Sequence, residues 1–184
     1  MFTPTIRVIL IIFSLIASAY FYTKEDFANM SMMLIAGGLF IYGYFKYGTV
    51  YAAFQQMKKE NIKKAEELIS EIKNPEKLTK GHKSYYYFTT GIIALEKKEF
   101  EKSHSDLTQA LNIGLRTEND KSIVLLNLAN IELLEKNYNE ANEYIKRVRE
   151  LDLKPLVESE TNRIEKEINV AQQRTELKNN SFLN

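Results

Sequence analysis

The side chains best suited to chemistry in this chain are two histidines, His82 and His104. Neither has a Cys, Asp or Glu at the spacing that metal coordination requires. His82 lies in a turn-like Lys-Gly-His-Lys and His104 follows Ser103, so both read as surface residues. Glu66, Glu67, Glu96 and Glu99 alternate with lysines at helical spacing, the pattern of a solvated face laced by i,i+4 pairs. No phosphate-binding loop, nucleophile elbow or dinucleotide fingerprint occurs. The chain has no cysteine, which removes disulfides, thiolate nucleophiles and zinc–thiolate sites and fits a reducing compartment. The expectation is a protein with no catalytic residue, cofactor or metal, no evident small-molecule substrate, and no enzymatic activity.

Charge narrows the partners. The formal net charge is +1 over 184 residues. With Arg7, Lys24, Glu25 and Asp26 set aside, the part from Lys46 onward carries nearly equal numbers of basic and acidic residues. Binding to a phosphate backbone needs a basic surplus or stripe, so nucleic acid is not an expected partner.

The elements that would position a binding surface come from internal repetition. Ala53, Gly91 and Ala129 are spaced by 38, as are Ala65, Ser103 and Ala141. Ile62, Phe100 and Tyr138 keep the same offset, followed by Ile69, Leu107 and Ile145, and by Ile72, Ala110 and Val148. Each column conserves side-chain size. The physical sense is a helical hairpin whose two helices cross where a small residue sits on each, with an apolar stripe along the second helix. Punctuation agrees. Asn74-Pro75 ends the first unit, Gly114 can cap a helix in the left-handed region, and Thr117 with Asp120 can form an N-terminal capping pair. Asn137 to Asn139 supply the next turn, and Pro155 opens a final helix.

With these residues in view the chain resembles the tetratricopeptide repeat (TPR) family over three units, about 48–74, 82–114 and 122–153. The resemblance rests on the small-residue pair twelve apart, the bulky residue before its second member, and the Gln109-Ala110-Leu111 type of closing segment. The period of 38 departs from the family norm, and the family's aromatic-and-leucine opening is only partly present. A generic antiparallel helical bundle is the alternative. The resemblance implies an α-solenoid with a concave groove for a peptide, faced here by Phe54, Tyr85, Phe88, Ile92 and Asn130, with Tyr47 and Val50 nearby. Val50, Phe54 and Phe88 stand where relatives that clamp C-terminal carboxylates carry Lys and Asn, which argues for an apolar occupant. From 154 onward one helix, with Leu156, Val157, Ile164, Ile168 and Ala171 on a stripe, reads as the cap that a solenoid end needs. The same stripe could instead pair as a short coiled coil. The tail from Asn179 reads as loose, with Phe182-Leu183 as a candidate docking element.

Before the repeats come two uncharged runs, Val8–Thr23 and Phe27–Phe45, joined by Lys24-Glu25-Asp26. They predict an antiparallel transmembrane hairpin over 1–47, with spans at about 6–23 and 27–46 and close packing of Ser14, Ala17 and Ser18 on Ala36, Gly37 and Gly38. Tyr42, Tyr44, Tyr47 and Tyr51 crowd the exit as at a headgroup boundary. A cleaved signal peptide ending near Ala17-Ser18-Ala19 is the competing reading. Lysines after the second run place the repeats on the cytoplasmic side of a bacterial inner membrane. The fold expected is therefore all-α: hairpin, three repeats over 48–153, and a capping helix with tail over 154–184. The function expected is a membrane-anchored adaptor that binds a protein partner beside the lipid bilayer. The alternative is an accessory subunit of a transport or secretion complex whose hairpin makes the main contacts.

Overall fold

The computed structural model describes the backbone of residues 4–47 and 49–181, and the side chains of residue 6 and of 8–43 and 49–174. Gly48, the side chains of Tyr44, Lys46 and Tyr47, and Phe182-Leu183 lie outside the described residues, so the roles expected for them do too. Among the described residues the chain is all-helical, with no strand. Its helices are α1 (Pro4–Thr23), α2 (Phe27–Tyr47), α3 (Val50–Lys58), α4 (Ile62–Ser70), α5 (Lys80–Glu96), α6 (Phe100–Ile113), α7 (Glu118–Leu134), α8 (Tyr138–Arg149) and α9 (Pro155–Ser181). A single 3₁₀ turn, Pro75–Lys77, precedes α5. The chain divides into two compact units, Met1–Ile93 and Ala94–Asn184.

In the first unit α1 and α2 pack as a hairpin. Asp26 starts α2 by accepting from the Asn29 backbone N–H at 3.1 Å and from the Asn29 side-chain amide at 2.7 Å. Ser14, Ser18 and Gly37 are buried, whereas Gly38 faces outward. A Cβ on Gly37 would stand 3.3 Å from that of Ser14, while one on Gly38 would meet nothing within 4 Å. Ile9, Phe13, Ile16, Ile35 and Leu39 all stay exposed.

The expected transmembrane spans and the integral-membrane placement are overturned, because among the described residues no helix is long and apolar enough to cross a membrane. The uncharged run of α1 from Val8 to Thr23 extends about 24 Å, and that of α2 from Phe27 to Phe45 about 28 Å. Both fall short of a hydrocarbon layer about 30 Å thick.

Four of the helical hairpins turn the same way. Glu25, Glu60, Lys98 and Lys136 each adopt positive φ, at 56°, 61°, 62° and 67°. The next residue reaches back across the helix end: Asp26 N–H to Phe21 O, Asn61 to Gln56, Glu99 to Ala94 and Asn137 to Glu132, at 2.8–3.1 Å. This pairing satisfies carbonyls that a helix terminus leaves open. The last three turns recur at the sequence period, and Asn61, Glu99 and Asn137 then open the second helix with nearly identical backbone angles.

The other stops differ in detail. The second helix of the first unit ends at Ser70, before Asn74-Pro75, which opens the 3₁₀ turn instead. Gly114 does end α6 at positive φ, but its ψ of 124° lies outside the left-handed helical well. Thr117 accepts from the Asp120 backbone N–H at 3.0 Å, and Pro155 opens α9. Asn179 to Ser181 remain helical, so the loose tail expected there is instead the end of α9.

The small residues of the repeat columns are sequestered from solvent. Ala53, Ala65, Gly91, Ser103, Ala129 and Ala141 are all buried. In the second unit α7, α8 and α9 enclose one core built from Leu125, Leu126, Ala129, Ala141, Ile145, Val148, Val157, Ile164 and Ile168. Most of the α9 stripe thus faces α7 and α8. Leu156, at 82% exposure, does not.

Candidate functional site

The residues expected to face a groove divide between core and surface. In the first unit Phe54 and Phe88 are 6% and 1% exposed. Their rings stack with Tyr85, with centroids 4.8 Å apart for Phe54–Tyr85 and 5.5 Å for Phe54–Phe88. Aromatic rings gain more from such tilted contacts than from water, so Phe54 and Phe88 belong to a packing cluster, with Tyr85 half-buried at its edge. Ile92 is half-buried. In the second unit Asn130 does lie at an open cleft, one that runs between α7 and α9.

That cleft has a volume of about 350 Å³. From α7 it takes Asn119, Ile123, Leu126, Asn127 and Asn130, which share one face because they recur at helical spacing. From α9 and the residue before it come Lys154, Leu156, Val157, Glu160, Arg163 and Ile164. The floor is apolar (Ile123, Leu126, Val157, Ile164), with Leu156 standing at its edge. The Glu118 carboxylate accepts from the Asp152 backbone N–H at 3.1 Å, which holds the start of α9 beside the start of α7. Asn119 and Lys154 therefore mark one end of the cleft.

The polar rim is unevenly satisfied. Arg163 binds Glu160 and Glu167, and the Glu160 carboxyl is held below its ordinary value of 4.5 by the Arg163 hydrogen bond. The Asn127 amide donates to Ile123 O at 2.7 Å. Among the described residues the side chains of Asn119, Asn130 and Lys154 engage no partner.

A second polar cluster joins α6 to α7 and the start of α8. His104 Nε2 lies 3.0 Å from Glu132 Oε1, and the Asn137 amide donates to Glu132 Oε2 at 2.8 Å. The Tyr144 hydroxyl stands 3.4 Å from the same imidazole nitrogen, and burial is the first cause that raises the Tyr144 phenol above its ordinary 10.0. His104 is thus half-buried and paired, not a plain surface residue. His82 bonds Thr79 at 2.8 Å within the start of α5. Among the described residues no group of three or more His, Asp or Glu could hold a metal ion.

The sequence matches no protein-family model, no curated protein and no solved structure. Asn119 and Lys154, which sequence reasoning passed over, reach the cleft from positions far apart in the chain. Only the apolar stripe that seats α9 on α7 and α8 carries a signal for their meeting.

Proposed function

We propose that this chain is a protein-interaction module of TPR-like helical repeats and that it recognises its partner through the cleft between α7 and α9. One observation carries the reading: an apolar floor of ligand-pocket size on whose rim Asn119, Asn130 and Lys154 engage no side-chain partner among the described residues. Recognition sites combine apolar lining with a few convergent polar groups, and leaving such groups unengaged beside a buried floor makes sense where something else engages them. Within the second unit the buried Ala129 and Ala141, on the packed pair α7 and α8, support the same reading.

The test uses a peptide library displayed on phage and panned against the full chain. Leu156 is the residue to change, because its side chain edges the cleft and contributes little to the core. Enriched peptides bind the wild type and lose binding to Leu156→Asp, whose urea midpoint stays unchanged. Peptides that bind both proteins alike place recognition elsewhere and overturn the assignment.

A further inference from the structure

We infer that the α7–α9 cleft takes an extended peptide segment carrying an internal acidic side chain, which Lys154 reads. This rests on the cleft being the recognition surface, and it adds the conformation and charge of the occupant.

Conformation follows from the amides. The side chains of Asn119 and Asn130 each offer a donor and an acceptor and engage nothing among the described residues. A helical partner has already spent its backbone N–H and C=O groups on itself. An extended segment presents one free donor and one free acceptor per residue. From Asn119 to Asn130 the helix rises about 16 Å, which an extended chain spans in about five residues at about 3.3 Å each. The floor between them receives alternate apolar side chains.

Charge follows from the ion pairs. Among the three charged residues that line the cleft, Glu160 and Arg163 are joined to each other, and Arg163 is also joined to Glu167. Lys154 has no carboxylate partner among the described residues. It lies at the Asn119 end, where Glu118 ties down Asp152. One ammonium matches one acidic side chain. The two amides, at opposite ends of the floor, hold a main chain that continues past both, so the acid is internal and not a chain terminus.

The experiment uses a positional-scanning library of N-acetylated, C-amidated heptapeptides, read by fluorescence anisotropy against the full chain. The expected result is a preference for Asp or Glu one or two residues from an apolar residue. Affinity for the preferred peptide falls about five-fold in Lys154→Ala, the upper range for a partly exposed ion pair. In Lys154→Glu the preference inverts to Lys or Arg, a change of specificity that a merely structural lysine would not produce. Binding that Leu156→Asp abolishes but Lys154→Glu leaves unaltered in preference overturns this inference while the cleft reading stands. A requirement for a free C-terminal carboxylate, or selection of helix-forming peptides only, overturns it equally. Capped peptides whose binding ignores Leu156→Asp defeat the cleft reading itself.

Discussion

His104 on α6 meets Glu132 on α7 at 3.0 Å, and the carboxylate it meets belongs to a residue only 7% exposed. Glu132 has a second donor in Asn137, whose own backbone N–H closes the α7–α8 turn on Glu132 O at 2.8 Å. A buried carboxylate that loses one of two donors keeps its desolvation penalty and loses the compensation. His104→Ala is therefore expected to cost about 1–2 kcal/mol, measured as a lower urea midpoint with unchanged slope. Glu132→Gln removes the charge and should shrink the cost of His104→Ala in a double-mutant cycle. Additive effects of the two changes would show that the pair contributes nothing.

Four hairpin turns place a charged, non-glycine residue in the left-handed region, and three of them, at Glu60, Lys98 and Lys136, recur at the sequence period. An L side chain there is disfavoured by about 1–2 kcal/mol, and glycine is the residue that helix ends of this geometry favour. Lys98→Gly and Lys136→Gly are expected to raise stability by about 0.5–1 kcal/mol each, read as an increase in thermal midpoint. A fall in midpoint would mean that these side chains make contacts outweighing the backbone strain.

Those turns also mark where sequence reading stops. The small-residue columns were legible because two helices that cross closely tolerate only small side chains, and Ala53, Ala65, Ser103, Ala129 and Ala141 are buried. Of the turns at the same period only that at Asn137 to Asn139 was read, one residue late, because Glu and Lys carry no signal for positive φ. Phe54 and Phe88 were assigned to a groove by resemblance, yet aromatic rings flanking a helix crossing gain more by stacking on Tyr85. The hairpin was read as two spans from its uncharged runs, small residues and flanking tyrosines and lysines, yet among the described residues no helix is long and apolar enough to cross a membrane. Asn130 was expected at a concave groove and lines the α7–α9 cleft instead, while Asn119 and Lys154 needed the third dimension, since only α9 lying along α7 brings them together.

Gly37 and Gly38 are neighbours in sequence with opposite expected responses. Alanine gains about 0.5–1 kcal/mol over glycine inside a helix, and at Gly38 a Cβ meets nothing within 4 Å. Gly38→Ala should therefore raise the thermal midpoint. At Gly37 the new Cβ stands 3.3 Å from Ser14 Cβ, so the helices must part slightly and the gain is offset. Gly37→Leu, which cannot be accommodated by so small a shift, should lower the midpoint. Equal responses at the two positions would show that α1 and α2 do not approach as closely as Ser14 and Gly37 indicate.

Acid should weaken the chain through two carboxyls. The hydrogen bond from Arg163 holds Glu160 below its ordinary 4.5, and the Asn29 backbone N–H, followed by its side-chain amide, holds Asp26 below its ordinary 3.8. A carboxyl whose folded value is depressed binds its proton more readily in the unfolded chain. Its contribution is then complete above the unfolded value and disappears as pH falls through the folded one. Urea midpoints should stay level from neutral pH down to about pH 5 and decline below the ordinary carboxyl range. Glu160→Gln should flatten part of that decline. Both Glu160 and Arg163 are well over a third exposed, so the Glu160 part is small and should fade in about 1 M salt, where charges are screened within about 3 Å. A decline that Glu160→Gln leaves untouched would assign the acid sensitivity to other carboxyls.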